Sequence, residues 1–490
     1  MADNSRLVET EPERADVEAL LARLCEREGE AAAQAFRKLN IHGNKLKGLL
    51  ERTFNIARRF DVSSRMLWEA AAIRDILDHP TLSPLDRYKR LSQTLHQWET
   101  QGLVGQAVPA LLRGRQGATD RRAPQPEALL PTRIYVDRGV VDLPRTQDIL
   151  SRFPHIATEV SDDIEALTRQ LPLSQGKKTW FLTRHKGKTL KRCPAYSDQY
   201  VCCNYSTFDL VSHCPLECSY CVLQSYLKTK PAIHIYTNVD EILESVGAGI
   251  DAAPTRQFRI GTGELADSLA LDPLLRFNRD VIDFFARKPN AVLELKTKSP
   301  FVDHLLDLDH RGHTVIAWSI NPPEVIASEE WKTASLDERL DAAVRAAGAG
   351  YPVAFHIDPI IVDTCDEAPD LSRYERLVDT LLDRVPAAAI AWVSMGTLRF
   401  SRDLKAVAQA RLPKTKIYAG AFERDGTKFY YPPETRRRIL GRLWQRLERG
   451  LPKERLYLCM EGKSVWQSVD ASCESTHHLE ARLMTPFAAA

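Results

Sequence analysis

From about residue 14 to about residue 112, apolar positions recur every three or four residues. ADVEALLARLCEREGEAAAQAFRKL and KLKGLLERTFNIARRF are examples, and Gly and Pro are scarce inside them. That spacing stacks the apolar side chains on one helical face and predicts an all-helical N-terminal domain. GRQGATDRRAPQPEALLPTR follows, rich in Arg, Gly and Pro; this is linker composition and places a domain boundary near residue 125. From about residue 131 the pattern changes to short β-branched runs: STFDLVSHC (206–214), QFRIGTGE (257–264), AVLELKTKS (291–299), HTVIAWSIN (313–321), PVAFHIDPIIV (352–362) and a run from Ile390 to Gly396. Helical patterns such as VDEILESVGAGI, LLRFNRDVIDFFARK and LDERLDAAVRAAGAG separate most of them. Strands alternating with helices predict a parallel sheet with right-handed crossovers.

Six such units make a doubly wound sheet or an open barrel. Cys214, Glu264, Lys298, Ser319, Asn321 and Asp358 all stand at the ends of runs, the placement a barrel active site requires. The fold class expected is therefore α/β: a partial (β/α)6 barrel of the TIM type, preceded by an all-helical domain and followed by a C-terminal α+β extension. The expected divisions are 1–125 (helical domain with linker), 126–205 (α/β lead-in), 206–400 (barrel) and 401–490 (extension).

A chain of 490 residues exceeds one small core, which agrees with several domains. No apolar run approaches bilayer-spanning length, and the polar N-terminus has no secretory core, so a cytoplasmic protein without a membrane partner is expected. Net charge is only +2, which excludes a polycation but not a local basic groove. Of the ten Cys, five fall between positions 202 and 221; in a reducing compartment such clustering points to metal or redox chemistry rather than disulfides.

Cys214-Pro-Leu-Glu-Cys218-Ser-Tyr-Cys221 has C-x3-C-x2-C spacing directly after a predicted strand. Three thiolates on one short loop can hold three irons of a [4Fe-4S] cubane and leave the fourth open to chelation by S-adenosylmethionine (SAM). A zinc site is the alternative, with His213, Cys202 or Cys203 as a fourth ligand.

This C-x3-C-x-aromatic-C pattern is similar to that of the radical SAM superfamily, in which the aromatic residue, here Tyr220, packs near the adenine. Gly261-Thr262-Gly263-Glu264 resembles the superfamily's Gly-Gly-Glu motif, whose backbone and carboxylate bind the SAM ammonium. A closer resemblance is to the spore photoproduct lyase family. It rests on CVLQSYL after the cluster motif, KTLK (188–191), KPAIHIYTNVDEIL (230–243), TKSPFVDHLLDLDHRG (297–312), WSIN (318–321), SLDERLDAAVRAAGAGYPVAF (335–355), RFS (399–401) and PKTKI (413–417). It covers roughly residues 131 to 460.

The resemblance implies reductive cleavage of SAM to a 5′-deoxyadenosyl radical that takes hydrogen from a damaged pyrimidine dimer in DNA. It further implies SAM contacts at Lys298, Ser319 and Asn321, and a flavodoxin, ferredoxin or reductase as electron source. Two positions depart from the family. The donor Cys falls on Thr262 or Glu264, where GTGELADS has no thiol, and the relay Tyr after the third cluster Cys is Val222. Neither replacement can donate hydrogen as a thiol or phenol does, so Cys365, Cys202 and Cys203 become candidates, alongside Tyr220.

A DNA lesion must be flipped into the barrel mouth and its strand gripped. FERDGTKFYYPPETRRR offers Arg424, Lys428, Tyr430 and Arg436 as nucleic-acid contacts, in a region where the family has a DNA-contacting hairpin. The N-terminal domain adds a second basic stretch that includes Lys45, Lys47 and Arg52. The alternatives are a radical SAM enzyme acting on RNA or a peptide, and a zinc-stabilised nucleic-acid-binding protein.

Overall fold

The computed structural model describes residues 43–60, 73, 76, 82–101, 125–226, 231–262, 265–363, 369–412 and 414–487. Among the expected site residues, Gly263, Glu264 and Cys365 lie outside that set. The chain divides into two units, residues 1–120 with 412–416, and residues 121–411 with 417–490.

In the first unit, helices Gly43–Phe60 and Pro84–Gln101 pack through Leu46, Leu49, Leu50, Leu91 and Leu95, all buried. Those positions follow the three- and four-residue spacing of the sequence.

The second unit holds two parallel sheets. One has the strand order Ala157–Ser161, Arg133–Asp137, Thr179–Thr183, Ile233–Tyr236, with Val211–Ser212 antiparallel at its edge. The other runs Leu456–Leu458, Ile390–Thr397, Val353–Ile360, Thr314–Ser319, Ala291–Thr297, Phe258–Gly261, Ser206–Thr207 and Lys191–Arg192. Its pairings are parallel except the last.

This second sheet is curled into a partial barrel. Four strands separate Phe258–Gly261 from Leu456–Leu458, which in a flat sheet puts them about 24 Å apart. Yet Arg259 Nη2 donates to Tyr457 Oη at 2.7 Å. Helices expected between strands are present at Val239–Asp251 and Leu336–Gly348, and a further one runs over Ser372–Arg384. Leu336–Gly348 starts on a reciprocal capping box between Ser335 and Glu338.

Three details differ from the sequence pattern. The run 206–214 is not one strand: Ser206–Thr207 joins the barrel and Val211–Ser212 crosses to the other sheet. The helix expected over 274–288 breaks at Arg276, whose φ of 59° is left-handed, giving Asp272–Leu275 and Asn278–Phe285. The barrel also extends beyond residue 400, because Leu456–Leu458 pairs with Ile390–Thr397.

The barrel interior holds a buried polar network. Arg259 Nε donates to Glu294 Oε2 at 2.7 Å, and the His356 ring bridges Glu294 Oε1 (2.6 Å) and the Ser394 hydroxyl (2.5 Å). Burial, helped by Lys296, pushes His356 down to about 4. Although burial opposes it, Arg259 and then His356 hold Glu294 well below the carboxylate range.

Both shifts destabilise the fold in acid. Between about pH 6.5 and about pH 4 the unfolded chain binds a proton at His356 that the native chain refuses, so stability falls as pH falls through that window. The stabilisation from ionised Glu294 is present above its unfolded value and is lost below it. Urea unfolding should therefore shift to lower midpoints on acidification across this window, by up to about 3 kcal/mol. A His356→Gln variant should show a flatter profile. An identical slope in the variant would assign the acid sensitivity to other groups.

Candidate active site

The cysteine loop follows the edge strand Val211–Ser212 and is held rigidly. Glu217–Cys218 pairs antiparallel with Glu330–Trp331. The Ser219 N–H donates to Glu329 O (2.9 Å), Tyr418 Oη donates to Ser219 O (2.8 Å), and Gln224 Nε2 donates to the carbonyls of Cys218 (2.7 Å) and Ser219 (3.0 Å). Glu217 is met by Arg411 at 3.0 Å and Lys177 at 3.3 Å. His213, with φ of 74°, supplies the sharp entry.

This scaffold brings Cys214, Cys218 and Cys221 to one small cavity, with Lys177, His213 and Gln224 around it. All three thiols are free. Burial pushes Cys214 up to about 12 and raises Cys218 further, with Lys298 opposing the shift at Cys218. Among the described residues, no three His, Cys, Asp or Glu side chains converge closely enough to hold one metal ion. A cubane assigns each thiolate to a different iron, so its ligands need not converge on a point. Three sulfurs facing one cavity suit that group.

Beside the loop stand Lys298, Tyr220 and a carboxylate the sequence pattern did not single out, Glu330. Lys298 Nζ lies 5.7 Å from the Tyr220 ring centroid. Burial opposes the Lys298 charge, but Cys218 and Glu330 hold its ammonium above the ordinary value. Glu330 accepts from the Tyr220 hydroxyl, from Asn321 Nδ2 (3.0 Å) and from the fully buried Arg339 (2.6 Å). Against burial, Arg339 and then Lys298 keep it ionised. Arg339 also donates to Ser319 O at 2.7 Å. Asp267 ties the loop after the second barrel strand to the third, accepting from the Lys298 N–H and the Thr297 hydroxyl, each at 2.7 Å.

Several expected site residues have partners within the protein. Asn321 is fully buried, and its amide is engaged by Glu330 and by the Tyr374 hydroxyl (3.0 Å). The Tyr220 hydroxyl is held by Glu330, so the ring face is what it offers. Gly261 has a packing reason for lacking a side chain: a Cβ there would fall 1.6 Å from the Tyr205 hydroxyl.

The expected hairpin is present: Glu423–Asp425 and Lys428–Tyr430 pair antiparallel beside Arg399–Ser401. Arg424 is exposed at its turn and Lys428 is half-buried near Arg399. Tyr430 and Arg436 do not face outward. Tyr430 is buried with its hydroxyl 2.8 Å from that of Tyr200, and Arg436 is ion-paired to buried Glu461 while donating to Tyr431 O. Both pack at the base of the hairpin.

Among the alternative hydrogen donors, Cys202 and Cys203 are half-buried. Cys459 belongs to no motif in the sequence. It follows the last barrel strand directly, 3.8 Å from Arg399 Nη2, with Cys203 close by. Arg399 is itself fixed by Asp358 through two bonds of 3.1 and 3.0 Å. Burial keeps the Cys459 thiol protonated far above the usual thiol range.

Comparison with known proteins agrees with this arrangement. A family model described as spore photoproduct lyase matches residues 129–457. The spore photoproduct lyases of Bacillus subtilis (strain 168) and Geobacillus sp. (strain Y412MC61) are each 28% identical over 295 residues, covering 59% of this chain and 84% of theirs. A solved spore photoproduct lyase mutant with bound AdoMet and dinucleoside spore photoproduct superposes with a TM-score of 0.60 at 24% identity, over 68% of this chain and 99% of that one. A second, complexed with dinucleoside spore photoproduct, gives 0.58 over 67% and 98%. At that identity the solved structures establish a common fold, while the family model spans about two thirds of the chain and takes in the whole cysteine loop. On these grounds the chain belongs to the spore photoproduct lyase family.

Proposed function

We propose that this chain is a radical SAM lyase that repairs ultraviolet pyrimidine photoproducts in DNA. The observation that carries the proposal is the clamped loop presenting Cys214, Cys218 and Cys221 to one cavity, with the Lys298 ammonium and the Tyr220 ring beside it. Family membership and the AdoMet and dinucleoside photoproduct bound by solved relatives support it.

In this proposal the three thiolates hold a [4Fe-4S] cluster. When bound, the cluster supplies the electron, drawn from a flavodoxin- or ferredoxin-class donor, that splits SAM into methionine and a 5′-deoxyadenosyl radical. Lys298 meets the SAM carboxylate, and Tyr220 packs by its face against the adenine. Gly261, Gly263 and Glu264 bind the ammonium, and Ser319 lines the same wall. Arg424 and Lys428 meet DNA phosphates flanking the flipped lesion. Hydrogen taken from the lesion must be replaced, and an S–H bond is weaker than the C–H bond it forms. Cys459 offers such a bond inside the barrel; the thiyl radical it leaves would take one electron from the same flavodoxin- or ferredoxin-class donor and one proton from solvent to restore the thiol.

The test is anaerobic reconstitution followed by incubation with SAM, a reductant and ultraviolet-irradiated DNA. Lesions should disappear as 5′-deoxyadenosine accumulates; steady SAM cleavage with untouched lesions would reassign the substrate. With thiols pre-exchanged in deuterated water, the repaired base should carry deuterium. Cys459→Ala should leave SAM cleavage intact while lowering repaired product per 5′-deoxyadenosine by about tenfold or more and removing the label. Full labelling in that variant would exclude Cys459 as the donor.

A further inference from the structure

The smaller parallel sheet carries a cavity that the barrel chemistry does not use. Its chain path reverses at the first strand: from Arg133–Asp137 the chain moves to Ala157–Ser161 on one side, then returns to Thr179–Thr183 on the other. In open parallel sheets, the crevice beyond the carboxyl ends of two strands that part this way is where ligands bind. Asp137 and Thr183, the last residues of those two strands, line a cavity of about 790 Å³, within the range of small-ligand sites.

The cavity's walls are chemically differentiated. On the inner side, Asp209 is 2% exposed and Thr183 7% exposed. Asp209 Oδ1 and Thr183 Oγ1 have no hydrogen-bond partner among the described residues. The other Asp209 oxygen reaches Lys191 only at 3.5 Å. Buried oxygens without donors are costly, and they suit a ligand bringing N–H or O–H groups. The Tyr236 and His185 rings form a perpendicular pair, centroids 5.1 Å apart, and both line the cavity. At the rim, Arg169 and Lys186 are exposed and have no ion-pair partner among the described residues. Glu165 on the same rim opposes a highly charged polyanion.

From this arrangement we infer that the cavity binds a nucleoside monophosphate, with base and ribose against Tyr236, Asp209 and Thr183 and the phosphate between Arg169 and Lys186. The inference does not depend on the proposed reaction. The cavity shares His213 and Leu223 with the cysteine cavity, so an occupant would brace the loop that carries Cys214.

The experiment is calorimetric titration of the full chain, saturated with SAM, with AMP, GMP, CMP, UMP, adenosine and inorganic phosphate. At least one monophosphate should bind, more tightly than phosphate or adenosine. The exposed double variant Arg169→Glu/Lys186→Glu, checked for native circular dichroism, should weaken it by about tenfold or more. Asp209→Asn should weaken it too. No binding by any monophosphate overturns the inference. So do equal affinity for inorganic phosphate, or monophosphate binding indifferent to the rim and Asp209 variants.

Discussion

Replacing Cys218 by Ala is expected to abolish iron–sulfur loading and SAM cleavage together, to below about one per cent of the parent. Of the three loop cysteines, Cys218 is the buried one, and its backbone pairs with Glu330 through a ladder that needs no side chain. Removing its sulfur therefore deletes a proposed ligand without releasing the loop. Two thiolates cannot hold three irons, and a site that loses its cluster loses the electron that SAM cleavage requires. The measurements are iron and sulfide content, visible absorbance after anaerobic reconstitution, and 5′-deoxyadenosine release. Cys473→Ala, a buried thiol held beside Asp470 and Arg482 in another part of the unit, should retain all three. Full iron content in Cys218→Ala would contradict the ligand assignment, whereas a lost circular dichroism signature would show that the variant reports folding instead.

The parts of this site legible in the sequence were those written in short stretches. Three Cys within eight residues announce themselves because one loop must supply all the ligands. The central barrel strands were legible for a similar reason: each is an apolar-rich run buried on both faces, as Ala291–Thr297 and Thr314–Ser319 show. Other elements exist only through their partners. Ala157–Ser161 is almost wholly exposed and carries no strand pattern. The two-residue strands Ser206–Thr207 and Val211–Ser212 are set by the sheets they join, a tertiary choice that local propensity cannot express.

The polar machinery was hidden for the same reason. Glu330 and Arg339 stand nine residues apart and belong to no motif, and Arg259, Glu294, His356 and Ser394 come from four separate strands. Cys459, more than 230 residues beyond the cysteine loop, reaches the barrel interior only because Leu456–Leu458 closes onto the sheet. The surroundings of the hairpin were hidden as well. Basic and aromatic letters in FERDGTKFYYPPETRRR suggested a set of phosphate contacts, but Arg436 is drawn inward by Glu461, a residue that sequence proximity does not reveal.

Arg339→Met is expected to destabilise the second unit by about 3–5 kcal/mol, seen as a lower urea midpoint. Arg339 is fully buried, bonds the Glu330 carboxylate at 2.6 Å, and also satisfies Ser319 O, Thr333 Oγ1 and Ala334 O. Removing it strands an ionised carboxylate in a dry interior, which accounts for most of the cost. Glu330→Gln in the same chain deletes that charge, so the double variant should recover a large part of the stability. Recovery of folding should not restore function. Glu330 holds the Tyr220 hydroxyl and, with Cys218, keeps the Lys298 ammonium charged, so the double variant should bind SAM about tenfold or more weakly while remaining folded. If it recovered stability and also bound SAM like the parent, Glu330 and Arg339 would be a structural pair beneath the site. If stability failed to return, the cost would lie in the three lost backbone and hydroxyl partners, not in the stranded charge.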